Sequence, residues 1–166
     1  MKHLSEIVDA ARARGRKRLA VAYGQDAHTI EAVYDAYQDG IVEATLFGDK
    51  AVIEKTCAEL GVDATIFTIV DEPNAAKAVA AAVKAVVSGE ADVLMKGLVS
   101  TDVYMRGILN KEAGLFPPKG VLSHISVFEW AGYHKLLLAS DIAVLPLPDL
   151  KQKQMLIKYI AQVAKT

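Results

Sequence analysis

The stretch Ala91-Asp-Val-Leu-Met-Lys-Gly-Leu-Val-Ser-Thr-Asp-Val-Tyr-Met-Arg106 decides how this chain folds. Val93-Leu-Met95 is an apolar run of strand length, closed by Lys96-Gly97. Ser100, Thr101 and Asp102 are helix N-cap residue types, and a helical pattern carrying Arg106 follows them. The order is strand, turn, helix N-terminus. Such a helix start offers unpaired backbone N–H groups and the positive end of a dipole, so it suits an anion such as phosphate.

Upstream, the same order occurs three more times. Leu19–Tyr23 is an apolar run ending at Gly24. Asp26 then caps a helix with the stripe Ile30, Val33, Tyr34 and Tyr37, stopped by Gly40. Val42–Phe47 forms a second strand, and Asp49 caps a helix that runs through Leu60 to Gly61. Thr65–Val70, rich in β-branched residues, reads as a third strand. Pro73 fits the first turn of the next helix, whose stripe is Val79, Val83, Val86 and Val87. A further helix over residues 4–14 precedes the first strand and stops at Gly15.

Four strand–helix units in series predict an α/β fold with a doubly wound, mainly parallel sheet. Right-handed crossovers then place the loops after all four strands on one edge, where ligands bind in such sheets. Only the loop Lys96–Thr101 combines a lysine, hydroxyls and a following arginine.

The texture changes after residue 110. Lys111–Gly120 is a Gly- and Pro-containing loop. Val121–Phe128 alternates as a strand with one wetter face. Gly132 turns the chain, and Tyr133–Ala139 completes an expected hairpin. A last helix starts near Asp149, with Leu156, Ile160, Val163 and Ala164 on its inner face.

Composition narrows the class. Of 166 residues, 52% are apolar and 23% charged, and the net charge of −1 gives no general basis for holding nucleic acid. The basic run Arg12, Arg14, Arg16, Lys17 and Arg18 reads as a solvated face. Cys57 is alone and shares a helical face with Ile53 and Leu60, which points to a buried structural thiol. With neither an apolar leader nor a membrane-length run, the expectation is a cytoplasmic protein without a membrane partner. The four histidines lack metal-ligand spacing, so no metal is expected.

Three segments together resemble the phosphate acetyltransferase and phosphate butyryltransferase family, closest to its butyryl branch. They are Ala91–Asp102 with Arg106, Gly120–Phe128, and Gly132–Asp141 leading into Pro148–Lys153. The resemblance implies a two-domain fold of the isocitrate/isopropylmalate dehydrogenase kind with a cleft between domains. It implies transfer of a short acyl group, acetyl or butyryl, between coenzyme A and inorganic phosphate, and a homo-oligomer in the complete enzyme. Coenzyme A, phosphate and acyl phosphate are then small-molecule substrates, and no tightly bound cofactor is expected. The chain matches the N-terminal half of the family. It is read as an N-terminal α/β domain over 1–145 plus the start of a second domain over 146–166. The family's later Ser/Gly-rich loop and its thiol-activating residues have no counterpart here, so the chain is expected to act as a fragment with impaired activity. Pocket residues Phe116 and Phe128 are expected to bear on acyl-chain size.

The reaction needs a held phosphate, a deprotonated thiol and a polarised carbonyl oxygen. Gly97, Ser100, Thr101 and Arg106 are the phosphate candidates. A guanidinium fork suits two phosphate oxygens. The plainer reading makes Ser100 or Thr101 only a cap and Arg106 a surface residue. Lys96 can meet phosphate or the acyl carbonyl, or simply extend into solvent. Gly97 is read as a steric necessity. Ser123 is a candidate for the cleft wall. His124 is a candidate proton carrier or a packing residue. Asp141 either orients a basic partner or caps a turn. The competing classes are a phosphate- or nucleotide-binding regulatory module without catalysis and a decarboxylating dehydrogenase relative. The first lacks a GxGxxG or Walker pattern here, and the second lacks an aspartate cluster.

Overall fold

The computed structural model describes residues 2–118 and 120–165. Met1, Lys119 in the expected 111–120 loop, and Thr166 at the end of the expected second domain lie outside the described residues. The elements are α1 Leu4–Ala13, β1 Lys17–Ala22, α2 Ala27–Gln38, β2 Val42–Gly48, α3 Lys50–Leu60, β3 Thr68–Asp71 and α4 Ala75–Val87. They continue with β4 Val93–Lys96, α5 Thr101–Leu109, β5 Ile125–Phe128, β6 Leu137–Ser140 and α6 Leu150–Val163.

Ala11–Pro117 form one compact unit, built on a four-stranded sheet of order β3-β2-β1-β4 with every pair parallel. Alternation along β1 sorts its side chains to two cores. Leu19 and Val21 meet Ile30 and Val33 of α2 and Ile53 and Cys57 of α3. Ala20 and Ala22 meet Ala78, Val79, Ala82 and Val83 of α4, joined by Val103 and Tyr104 of α5. Both faces of the central strand are therefore covered, which is why β1 reads as a continuous apolar run. The side of β1 toward α4 is alanine. Small residues there let the helix approach closely, and each buried valine of α4 contributes about 1.5–3 kcal/mol.

Helix limits follow cap chemistry. Asp26 and Asp49 accept the N–H groups of Thr29 and Val52, as their sequence spacing predicts. Gly61 ends α3 in a left-handed conformation, φ 68°. Three expectations change. Thr65–Phe67 is not strand: Asp63 captures Thr65 through both its N–H and its hydroxyl, winding Ala64–Ile66 into a 3-10 turn and delaying β3 to Thr68. Pro73 lies before α4, whose cap is Asn74. The α4 stripe is turned toward Ala78, Val79, Ala82, Val83 and Ala85, and Val87 is exposed.

The described residues up to Ala10 group with those from Pro118 onward as the second compact unit. This boundary at Pro117/Pro118 differs from the sequence-based division at 145/146. Within the unit, β5 and β6 pair antiparallel, Ile125 with Ser140 through Phe128 with Leu137, and α6 packs on β6. Residues 121–124 and 133–136, expected as strand, lie outside this ladder of four pairs. Asp149 and Gln152 form a reciprocal capping box at the start of α6. On α6, Leu156 is buried and Val163 is exposed.

The basic run is less idle than its sequence suggests. Arg12 pairs with Asp39, and Arg16 stacks its guanidinium 4.3 Å from the Tyr37 ring centre. Arg18 grips Asp92 with Nε at 3.1 Å and a terminal nitrogen at 2.7 Å, joining the start of β1 to the start of β4. Hydrogen bonds from Arg18 hold the Asp92 carboxyl well below the usual range.

Candidate functional site

β1 and β4 run side by side, and Ala22 stands opposite Lys96 at their C-terminal ends. The two loops that follow are stitched together. Gly97 donates its N–H to the Ala22 carbonyl at 2.9 Å, and Leu98 donates to the Tyr23 carbonyl at 3.2 Å. A Cβ on residue 97 would lie 2.3 Å from the Tyr23 oxygen. Glycine is required there by the approach of a neighbouring backbone, since its own φ is not in the left-handed region. The steric role expected of Gly97 thus comes from β1. Buried Val99 then pins the turn to the core beneath, with Ala78 and Val79.

Ser100 is the N-cap of α5. Its hydroxyl accepts the Val103 N–H at 3.3 Å, and its carbonyl accepts the Tyr104 N–H at 3.1 Å. Thr101 opens the helix, and Asp102 follows. The first N–H groups of an α-helix have no intrahelical acceptor, so Thr101 and Asp102 present donors at this turn. Arg106 is not folded back over the turn. It is 79% exposed and reaches Asp102, with Nε at 3.1 Å and a terminal nitrogen at 3.0 Å. Exposed pairs of this kind are worth at most about 1 kcal/mol. Lys96 is exposed at the end of β4 and forms no ion pair among the described residues.

The other loops of this edge use their polar groups internally. Gln25 accepts the Asp49 N–H at 2.9 Å, Asp71 accepts the Lys50 N–H at 3.1 Å, and Glu72 accepts the Asn74 N–H at 3.0 Å. In the turn after β4, Lys96 forms no ion pair among the described residues, and Arg106 pairs only with the exposed Asp102. A cavity of about 370 Å³ includes residues from the opposite ends of the strands, lined by Arg16, Arg18, Glu43, Thr45, Thr68 and Glu90. Its mixed charge gives phosphate no preference.

Ser123, His124 and Asp141 belong to the second unit. The Ser123 hydroxyl lies 3.3 Å from that of Ser140. The His124 ring is 3.4 Å from the Ser126 hydroxyl through either nitrogen, a long contact that does not fix a tautomer. Asp141 organises the backbone that follows it. One of its carboxylate oxygens accepts the N–H groups of Ala143, Val144 and Leu145, at 3.3, 2.7 and 3.0 Å. Burial pushes this carboxyl upward, but these N–H bonds outweigh it and hold it below the ordinary range. Its Oδ2 is buried without a hydrogen-bond partner among the described residues.

Two features lie beyond the sequence pattern. Among the described residues, Tyr23 is the non-glycine residue with positive φ, 60°. Glu129 clasps the N-terminal segment, meeting His3 Nδ1 at 2.7 Å and accepting the Leu4 N–H at 2.8 Å. Neither has a local signal in the sequence, because the partner of each lies far along the chain. Among the described residues, no three His, Cys, Asp or Glu side chains gather as a metal site, and no helix is long and apolar enough to cross a membrane.

Comparison with known proteins gives this geometry its context. Residues 3–80 match the family described as "Phosphate acetyl/butaryl transferase". The chain is 40% identical to phosphate butyryltransferase of Clostridium acetobutylicum, aligning 99% of itself with 54% of that protein. It is 37% identical to phosphate acetyltransferase of Thermotoga maritima, over 97% of itself and 54% of that protein. Among solved structures, a branched-chain phosphotransacylase from Enterococcus faecalis V583 shares the fold with a TM-score of 0.71 at 19% identity, covering 90% of this chain and 51% of that one. EutD phosphotransacetylase from Staphylococcus aureus does so at 0.69 and 12%, covering 89% and 53%. The chain spans about half the length of the curated relatives it matches. The Lys96–Arg106 segment lies inside both aligned stretches, and by sequence this chain is similar to phosphate butyryltransferases and phosphate acetyltransferases over nearly all of its own length.

Proposed function

We propose that this chain takes part in acyl transfer between coenzyme A and inorganic phosphate, and that the turn Lys96–Arg106 holds the phosphate of the acyl phosphate. The observation that carries the proposal is the route of β4: Lys96 leads through a glycine-tight turn straight into a capped helix start with Arg106 beside it. In the reaction, the thiolate of coenzyme A attacks the carbonyl carbon of the acyl phosphate. A carbon–sulfur bond forms, the carbon–oxygen bond to phosphate breaks, and phosphate leaves with that electron pair. The N–H groups of Thr101 and Asp102, the Thr101 hydroxyl and Arg106 steady the leaving phosphate. Lys96 is the candidate for the carbonyl oxygen. No enzyme nucleophile is required.

Ser123, His124 and Asp141 enter the proposal with different weight. The N–H bonds to Asp141 favour its charged form and support a turn-capping role, whereas Ser123 and His124 keep the open roles of site wall and proton carrier. The finer architecture is part of the same reading: a doubly wound sheet of the isocitrate/isopropylmalate dehydrogenase kind, with a domain over 1–145 and the start of another over 146–166. The order β3-β2-β1-β4 with helices on both faces of β1 supports the doubly wound sheet. The proposed setting is a cytoplasmic homo-oligomer working on acetyl- or butyryl-CoA, with this chain less active than its longer relatives.

The test is a titration of the isotopically labelled chain with inorganic phosphate, followed by amide shifts. The expected result is a saturable response centred on Leu98–Asp102, together with phosphate-dependent release of coenzyme A from butyryl-CoA below the rate of the longer relatives. A phosphate response confined to other residues, or none, overturns the assignment. Tight nucleotide binding at the same amides without any response to coenzyme A favours the regulatory module instead.

A further inference from the structure

Tyr23 stands at the end of β1 in the left-handed region, φ 60°, which side chains other than glycine, asparagine and aspartate adopt at a cost. The ring packs against the core shared with α4 and α5. With this φ, the Tyr23 carbonyl accepts the Leu98 N–H at 3.2 Å, and it passes so close to residue 97 that a Cβ there would lie 2.3 Å from the oxygen and 2.8 Å from the carbonyl carbon. The next residue, Gly24, donates its N–H to the Phe47 carbonyl of β2 at 3.1 Å. The strained residue and the glycine after it therefore tie the end of β1 to the turn after β4 and to β2, Tyr23 making the first bond and Gly24 the second. Tyr23 is bonded directly to Leu98, two residues before the Ser100 cap.

We infer that Tyr23 is a positioning residue: its left-handed backbone, and not its ring, holds the Gly97–Ser100 turn in the shape that takes phosphate. The inference rests on the phosphate reading of that turn. Strain held by surrounding structure beside a binding turn is a recurrent form of preorganisation.

The experiment ranks substitutions by their tolerance of positive φ and reads inorganic phosphate affinity from the Leu98–Asp102 amide shifts. Tyr23→Asn and Tyr23→Gly keep the left-handed conformation and lose the ring, so both retain phosphate affinity. Tyr23→Val opposes the conformation through its β-branch and weakens phosphate by about tenfold or more, as expected when a binding group is misplaced by a fraction of an ångström. If Tyr23→Val does not fold, Tyr23→Ala takes its place, with an affinity below that of Tyr23→Asn and Tyr23→Gly. A purely structural role would lower the melting temperature without this order in affinity. Equal losses in Asn, Gly and Val variants would give the role to the ring and overturn the inference. Full retention in a folded Tyr23→Val does the same and leaves the phosphate reading standing. Absence of any phosphate response in the wild-type chain overturns that reading, and the role of Tyr23 with it.

Discussion

The two compact units are held together by different physics. In Ala11–Pro117 the central strand is sealed: Ala20, Val21 and Ala22 have no exposed surface, and Ile30, Leu46, Ile53 and Val83 close the cores around them. In the other unit Leu156 is the one buried side chain among the described residues, while Trp130 is 63% and Leu147 93% exposed. Its order comes from polar ties: the Asp149–Gln152 capping box, the three N–H groups gathered by Asp141, and Glu129 on His3 and Leu4. Apolar burial scales with area and fixes a whole sheet at once, whereas polar ties fix a loop or a helix end one at a time. The first unit should therefore respond to perturbation as a block and the second locally.

The sharpest way to break this comparison is a matched pair of truncations. Ile53→Ala, in a site with no exposed surface, is expected to cost about 2–5 kcal/mol in denaturant unfolding of the sheet unit. Leu156→Ala, in thinner surroundings, is expected to cost about 1–2 kcal/mol and to leave the amide protection of β1 unchanged. Equal costs would mean that both units share one cooperative core. Next in size, Asp149→Ala removes the cap of α6 and should cost about 1 kcal/mol, seen as fraying of its first-turn amides. An unchanged first turn would place the stability of α6 in packing alone.

Acid gives the most graded comparison. Asp92 and Glu129 both have carboxyl groups held below their ordinary values, the first chiefly by hydrogen bonds from Arg18 and the second chiefly by His3 with the Leu4 N–H. A depressed carboxyl contributes stability that is present above its unfolded value, about 4, and is lost as pH falls toward the folded value. The depression is larger at Asp92. Hydrogen exchange followed from pH 5 downward should therefore show the Leu4 amide released before the amides joining β1 to β4. Asp92→Asn should flatten the acid dependence of the sheet unit and leave the Leu4 amide as it was. Simultaneous release of both would erase the distinction between the units.

How much is legible in the sequence follows the same divide. Asp26, Asp49 and Asp149 announce helices because a cap acts within three residues, a range sequence spacing displays directly. Gly15, Gly40, Gly61 and Gly89 mark stops and do adopt positive φ. The pattern from Thr65 reads as strand, yet Asp63 reaches a hydroxyl two residues on, a contact that overrides β-propensity. Sequence leaves Arg106 open between phosphate contact and the surface, and the pairing with Asp102 one helical turn earlier is not visible in that choice. The left-handed backbone of Tyr23 escapes a local reading because its cause lies far along the chain, at Gly97.

The register of β1 carries a consequence for how the molecule assembles. β1 meets β2 by pairing Lys17 with Val42, a short excursion of chain, but meets β4 by pairing Leu19 with Val93. Roughly tripling the loop adds about 1 kcal/mol of closure entropy, so the β1–β4 pairing is expected to be the late event in refolding. The turn that follows β4 is then the last part of this sheet edge to be organised, after the strand it leans on is in place. A ligand that recognises the finished turn is recognising a chain that has completed its fold.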